Sequence, residues 1–331
     1  MAVDPSPPKP IRLAIVGVGK IARDQHLPAI AQDPRFELVA AVSRNAVVDG
    51  VANYHDIAEL LAADHAIDAV SLCTPPVGRA EIAMAAIDAG LDVMLEKPPA
   101  ATLSEIARIE AHAVAAGRTL FATWHSREAA GVAPARAWLE GRRVERVTID
   151  WREDIRRWHP GQDWILEAGG FGVFDPGINA LSIATEILPG GWTVDDAEMR
   201  VPEGRMSPLA ADLRLSCDAA LGARAGGAGA SAGAGARVPV TAAFDFLHEG
   251  PQQWDIVVDT DGGRLTLRMG GSVLEVDGKI SEAPDAEYAG LYGKFAELVH
   301  SRSSEVDVTP LRLVADAFLL GRRTIVPAFA W

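Results

Sequence analysis

Between Ile11 and Ala122 the chain alternates short apolar runs with longer segments that place Ala, Ile and Leu at three- and four-residue steps. Strands buried on both faces by crossover helices produce this pattern, so the first third is expected to form a parallel, doubly wound sheet. Strands are predicted at Ile11–Val16, Phe36–Val42, Ala69–Cys73, Val93–Leu95 and Leu120–Ala122. Helices are predicted at Lys20–Gln32, Ile57–Ala63, Arg79–Ala89 and Leu103–Ala116, with Gly90 and Gly117 where the last two would stop. After Thr123 the period changes. A short helix at Ala133–Leu139 precedes alternating runs at Val144–Trp151, Ala211–Ser216, Val238–Phe246, Trp254–Thr260, Arg264–Met269 and Ser272–Val276. Turns such as "DTDGG" and "RMGGS" between them predict an α+β domain with an open, mostly antiparallel sheet.

The expected organisation is therefore a loose, proline-rich leader (1–10), an α/β nucleotide-binding domain (11–123) and an α+β domain for substrate and oligomerisation (124–310). A C-terminal helix and tail (311–331) should pack back on the first domain. The Gly/Ala stretch 222–237 is too poor in large apolar groups to pack and is expected to be a long mobile loop. The 331 residues exceed the usual size of one compact domain. A net charge of −14 repels polyphosphate, which excludes nucleic acid or an anionic membrane as the main partner. Cys73 and Cys217 are far apart and lack metal-site or redox spacing. The N-terminus lacks a signal-peptide pattern, and no apolar stretch reaches roughly 18 residues. The chain is expected to be soluble and cytoplasmic, with a small-molecule partner. The open face of its second sheet would be covered by the first domain or by another copy in a homo-oligomer.

"IVGVGKIA" supplies Gly17-x-Gly19-x-x-Ala22 directly after the first strand. Gly17 permits the turn, Gly19 lets backbone amides approach a pyrophosphate, and Ala22 allows close helix-to-strand packing. Lys20 and Ile21 open the helix whose N-terminus faces the anion. NAD-preferring versions end the second strand with an acidic residue about 20 residues on. Here that strand ends "AAVSRN": Ser43 can donate to a 2′-phosphate and Arg44 can pair with it. NADP is therefore expected over NAD, with NAD still usable. As a surface cation, Arg44 would merely be solvated. In "SLCTPP", Thr74 and Pro75 end the third predicted strand and can support the nicotinamide ribose.

"VMLEKPPA" sets Glu96 and Lys97 at the carboxyl edge, where ligands of doubly wound sheets bind. Pro98 and Pro99 cannot continue the ladder and are expected to hold the preceding backbone extended. A lysine beside an oxidised nicotinamide and partly desolvated would have its neutral form favoured, which suits proton transfer from an alcohol. Pairing with Glu96 at a strand end is the alternative. "GVGKIA", "TPP" and "EKPPA" at these spacings resemble the Gfo/Idh/MocA group over nearly the whole chain. That resemblance implies a Rossmann domain, an α+β domain with an open sheet, NAD(P)-linked oxidation of a carbohydrate hydroxyl, and a catalytic lysine at Lys97. Pro99 stands where many members carry another small or polar residue.

"EAGGFGVFDPGIN" resembles the group's "GGG…D-x-G-x-H" segment, with Asn179 in place of the histidine. Asp175 precedes Pro176 and is also expected to cap a helix. Four residues apart, Asp175 and Asn179 would share a helix face and can grip one hydroxyl. Asparagine is no base near neutral pH, so the histidine's role does not carry over. The substitution and the upstream "WREDIRRWHPGQDW" resemble bacterial aldose 1-dehydrogenases acting on L-arabinose or D-galactose. An anomeric hydroxyl is more acidic than an ordinary alcohol and needs a weaker base. By that resemblance Lys97 and Asp175 would handle the proton on O1 while Asn179 orients it, giving a 1,5-lactone. Glu153 and His159 can bind neighbouring hydroxyls, with Trp158 as an apolar platform. His125 in "TWHSRE" and Trp254 are further substrate-binding candidates. No histidine pair has metal-ligand spacing, and hydride transfer to nicotinamide needs no metal. Two other readings stay open: oxidation at a different ring carbon, as in inositol dehydrogenases, and a non-catalytic sugar-sensing regulator of the same fold.

Overall fold

A computed structural model describes residues 9–63, 65–218 and 237–331. The expected leader, up to residue 8, and the Gly/Ala loop, at 222–236, lie outside the described residues. The chain divides into two compact units: one runs to Thr123 and takes up Tyr288–Asp307, and the other holds Trp124–Glu287 and Val308–Trp331.

The first unit is built on a parallel sheet of β1 (Ile11–Val16), β2 (Phe36–Val42), β3 (Ala52–Tyr54), β4 (Ala69–Leu72), β5 (Asp92–Leu95) and β6 (Leu120–Ala122). Its order is β3-β2-β1-β4-β5-β6, reversing direction between β1 and β4. Leu13, Ile15, Val70, Leu72, Val93 and Leu95 are fully buried, as strands covered on both faces require, at roughly 1.5–3 kcal/mol of transfer energy each. The helix Leu103–Ala116 starts on a capping box of Thr102 and Glu105 and stops at Gly117, whose φ of 62° suits glycine. The three-residue β3 and the helix Glu287–Ser301 were not anticipated. In that helix Tyr288, Leu291, Tyr292 and Phe295 are buried against Leu13, Phe36, Met94 and Phe121.

In the second unit the strands are β7 (Val144–Arg152), β8 (Trp192–Pro202), β9 (Ala210–Cys217), β10 (Val238–Asp245), β11 (Gln253–Thr260), β12 (Gly263–Arg268), β13 (Val273–Val276), β14 (Lys279–Glu282) and β15 (Arg322–Val326). They form one nine-stranded sheet in the order β14-β13-β12-β11-β7-β10-β9-β8-β15. The sheet is mixed: β7 pairs with β10 and β8 with β15 in parallel, and the rest is antiparallel. Asp195, Asp196 and Glu198 dilute the apolar alternation of β8, which hides that strand from a hydrophobic count. The expected C-terminal helix spans Thr309–Leu320 and gives way to β15, both in the second unit. Tyr288–Asp307, not the tail after 311, is the late segment that joins the first unit. Phe174 and Phe318 pack ring to ring, 5.4 Å apart, in keeping with the tail's place in the second unit.

Candidate active site

The carboxyl edge of the six-stranded sheet gathers every residue proposed for the nucleotide. β1 ends at Val16; the next residue, Gly17, donates its N–H to Val42 O at 2.8 Å and has a φ of +94°. A Cβ there would lie 2.8 Å from Thr74 N and 2.9 Å from Cys73 C, so only glycine lets the first loop rest on the Thr74 loop. Gly19 differs: a Cβ would meet no protein atom within 4 Å, so packing within the chain does not demand glycine. Its open side fits close backbone approach by a pyrophosphate. Helix follows at once, with Arg23 N donating to Gly19 O at 3.2 Å, and Ala22 is fully buried. Lys20 pairs with Asp24, and Ile21 is exposed. Past the end of β2, Ser43 N donates to Tyr54 O at 2.9 Å and Arg44 is exposed. At the end of β4, Thr74 Oγ1 is buried without a hydrogen-bond partner, and Pro75 is exposed. An open glycine and an orphaned hydroxyl at this edge fit a nicotinamide dinucleotide.

After β5 the chain leaves the ladder at Glu96, whose N–H still donates to Leu72 O at 3.1 Å. The Glu96 carboxylate is buried; Tyr288 Oη donates to its Oε1 at 2.6 Å, and His26 Nε2 lies 3.6 Å from the same oxygen. His26 sits in a π-helical turn, Ala22–His26, and its Nδ1 is 2.8 Å from Tyr292 Oη, itself 3.3 Å from Ser71 Oγ. Burial alone would lower the His26 pKa, but Cys73, Tyr292 and Glu96 outweigh it and hold the imidazole well above its ordinary value. Lys97 follows, half-buried, and the Lys97–Pro98 peptide is cis.

In the second unit, β7 delivers Glu153 to the start of a short irregular stretch, where its N–H donates to Asp245 O at 2.9 Å. Trp254 Nε1 donates to Glu153 Oε2 at 2.9 Å. His159 Nε2 lies 3.6 Å from Glu153 Oε1 and 3.8 Å from Asp175 Oδ2, so one imidazole stands between two buried carboxylates. Aromatic rings close round them: Phe246 is 5.5 Å from His159, and Trp158 is 5.1 Å from Trp254. Asp175 lies in the first turn of the helix Phe174–Ile187, one residue inside it, and is not its cap. Asn179 is one turn on, half-buried, on the same helix. The glycines before Asp175 are demanded by packing, since a Cβ at Gly170 would sit 2.2 Å from Trp164 O and one at Gly172 2.2 Å from Pro208 O. Gly177 likewise lets the helix lie on Phe244. His125 has Glu287 Oε2 2.5 Å from its Nδ1. The carboxylates retain lone pairs that can accept from sugar hydroxyls, and the imidazole can donate or accept.

Reasoning from sequence missed Arg79, His26, Tyr288, Tyr292 and Phe246. Arg79 is almost fully buried, and its guanidinium donates to Thr74, Glu96 and Pro98 carbonyls. A four-residue step of two tyrosines in the unmarked helix was the one available signal for Tyr288 and Tyr292.

The model of the oxidoreductase family with an NAD-binding Rossmann fold matches residues 11–123. The chain is 42% identical to galactose 1-dehydrogenase of Pseudomonas fluorescens over 97% of its own length and 99% of that protein. The crystal structure of a D-galactose-1-dehydrogenase from Rhizobium etli superposes with a TM-score of 0.89 at 50% identity, covering 98% of this chain and 99% of that one. A 3-ketoreductase from Actinomadura kijaniata, solved with NADP and TDP-benzene, shares the fold at 20% identity and a TM-score of 0.79, over 96% of this chain and all of that one. A phosphate loop against the Thr74 loop, a lysine after β5 and likeness along nearly the whole chain lead to one conclusion: the protein belongs to the Gfo/Idh/MocA oxidoreductase family.

Proposed function

We propose that the protein oxidises the anomeric C1 hydroxyl of an aldose, D-galactose or a close relative such as L-arabinose, to the 1,5-lactone, with NADP preferred over NAD. The observation that carries this reading is the Glu153–His159–Asp175 cluster, walled by Trp158, Trp254 and Phe246. Such a group recognises adjacent hydroxyls on an apolar ring face, which is a sugar's chemistry. Similarity at 42% and 50% to two galactose 1-dehydrogenases supports C1 as the reacting carbon.

In this reading the dinucleotide, when bound, supplies the acceptor for the C1 hydrogen. Lys97 and Asp175 handle the O1 proton between them, and Asn179 orients O1. Glu153 and His159 hold neighbouring hydroxyls. Trp158 carries the apolar sugar face, Trp254 fixes the Glu153 carboxylate, and His125 is a further contact. Gly17, Gly19, Lys20, Ile21, Thr74, Pro75 and Glu96 shape the nucleotide site; Ser43 and Arg44 meet the 2′-phosphate. The outer side of the large sheet carries paired charges such as Arg146 with Asp259 and Arg200 with Asp212, a surface suited to a second copy of the chain. Among the described residues no helix is long and apolar enough to cross a membrane.

The test is incubation with a panel of aldoses and inositols and each cofactor, following formation of reduced nicotinamide and identifying the product by NMR. Turnover of D-galactose or L-arabinose to the 1,5-lactone, faster with NADP, is expected. Turnover of no aldose, or oxidation at another ring carbon, contradicts the proposal.

A further inference from the structure

Arg79 opens the helix Arg79–Asp88, yet it is only 2% exposed, a degree of burial that guanidinium groups rarely reach. Its Nε donates to Thr74 O at 3.1 Å, and Nη2 reaches the same carbonyl. Nη1 donates to both Glu96 O and Pro98 O. One planar head group thus joins the loop after β4 to the segment after β5, and the two acceptors on the second segment stand on either side of Lys97. Buried carbonyls need donors, and proline at 98 and 99 deprives this stretch of two backbone N–H groups that could have served locally. A guanidinium, with five N–H bonds in a rigid fork, can satisfy carbonyls from two loops at once, where an ammonium on a flexible stem presents one point.

We propose that Arg79 is a positioning residue for Lys97, stapling the carbonyls that flank the lysine to the Thr74 loop and so setting where its ammonium stands. The inference rests on the proton-handling role given to Lys97 above. Thr74 also lies against Gly17, where a Cβ would come within 2.8 Å of its nitrogen, so the staple ties the lysine's backbone to the phosphate loop. A displacement of the lysine would then be felt in the chemical step more than in cofactor binding, because proton transfer tolerates little error in distance.

The experiment is a double-mutant cycle on kcat in the full-length protein, with saturating D-galactose and NADP. It compares wild type, Arg79→Lys, Lys97→Met and the double variant, with melting curves and NADPH titrations for each. Arg79→Lys is expected to lower kcat about 10²-fold while the KM for NADP stays near that of wild type. The double variant should be no slower than Lys97→Met, because Arg79 has then lost the group through which it acts. Equal fold-losses in the two backgrounds would overturn the inference alone. Near-normal kcat in Lys97→Met would overturn the role of Lys97 and this inference with it. Arg79→Gln carries the same cycle if Arg79→Lys does not fold, and wild-type kcat in either folded variant counts against the staple.

Discussion

Glu96 and Glu153 are each 3% exposed, and each has a histidine Nε2 3.6 Å from its Oε1. The resemblance ends at the next shell of contacts. His26, the partner of Glu96, has a fully buried side chain packed edge-on to Tyr288 and Tyr292, and Tyr288 donates to the same Glu96 oxygen. The side chain of His159, the partner of Glu153, is 20% exposed and meets a second carboxylate, that of Asp175, on its other side. Enclosure turns the first pair into a brace for the strand end that carries Lys97. Access and a second carboxylate leave the other pair able to trade its contacts for a ligand's hydroxyls.

Two substitutions sharpen the contrast. Glu153→Gln keeps the shape and the Trp254 contact but removes charge from the cluster proposed to bind the sugar hydroxyls. It should lower kcat/KM for the sugar about 10- to 100-fold, with the NADP Kd and the thermal midpoint near wild type; steady-state kinetics and a melting curve read this. A large loss of stability with little kinetic change would make Glu153 a second brace. The smaller effect belongs to His26→Gln, which should spare the sugar KM and show itself in stability. The folded-state pKa of His26 is raised, so folding favours its protonated form. That contribution is full below the unfolded value of about 6.5 and is lost as pH climbs through the folded pKa. The groups facing the ring are Glu96, Tyr288, Tyr292, Ser71 and Cys73. The wild-type advantage in thermal midpoint over His26→Gln should therefore be greatest at mildly acidic pH and shrink on the alkaline side. A constant difference across that range would deny the buried ion pair.

The contrast also shows where sequence reading succeeds. The core strands of the six-stranded sheet and the phosphate loop were legible because fully buried parallel strands leave unbroken apolar runs and a tight βα turn demands glycine. Glu153, His159 and Asp175 stood out as polar residues in a dense aromatic segment, and the structure brings them together. Their counterparts in the first unit did not. His26 sits at a helical spacing that any solvated residue can occupy, and its burial depends on Tyr288 and Tyr292, more than 260 residues later. Arg79 reads as an ordinary surface cation until its acceptors, the carbonyls of Thr74, Glu96 and Pro98, are seen; backbone acceptors leave no mark in a sequence. The mixed order of the large sheet was hidden for a similar reason, since parallel partners such as β7 and β10 are set by the path of the chain between them.

The claim that the protein removes hydrogen from the anomeric carbon is tested most directly with D-galactose deuterated at C1 alone, incubated with NADP and analysed for isotope in both products. Deuterium in the reduced nicotinamide and its loss from the lactone are the expected result. Reduced cofactor free of deuterium, with the label still on the sugar, would contradict the account.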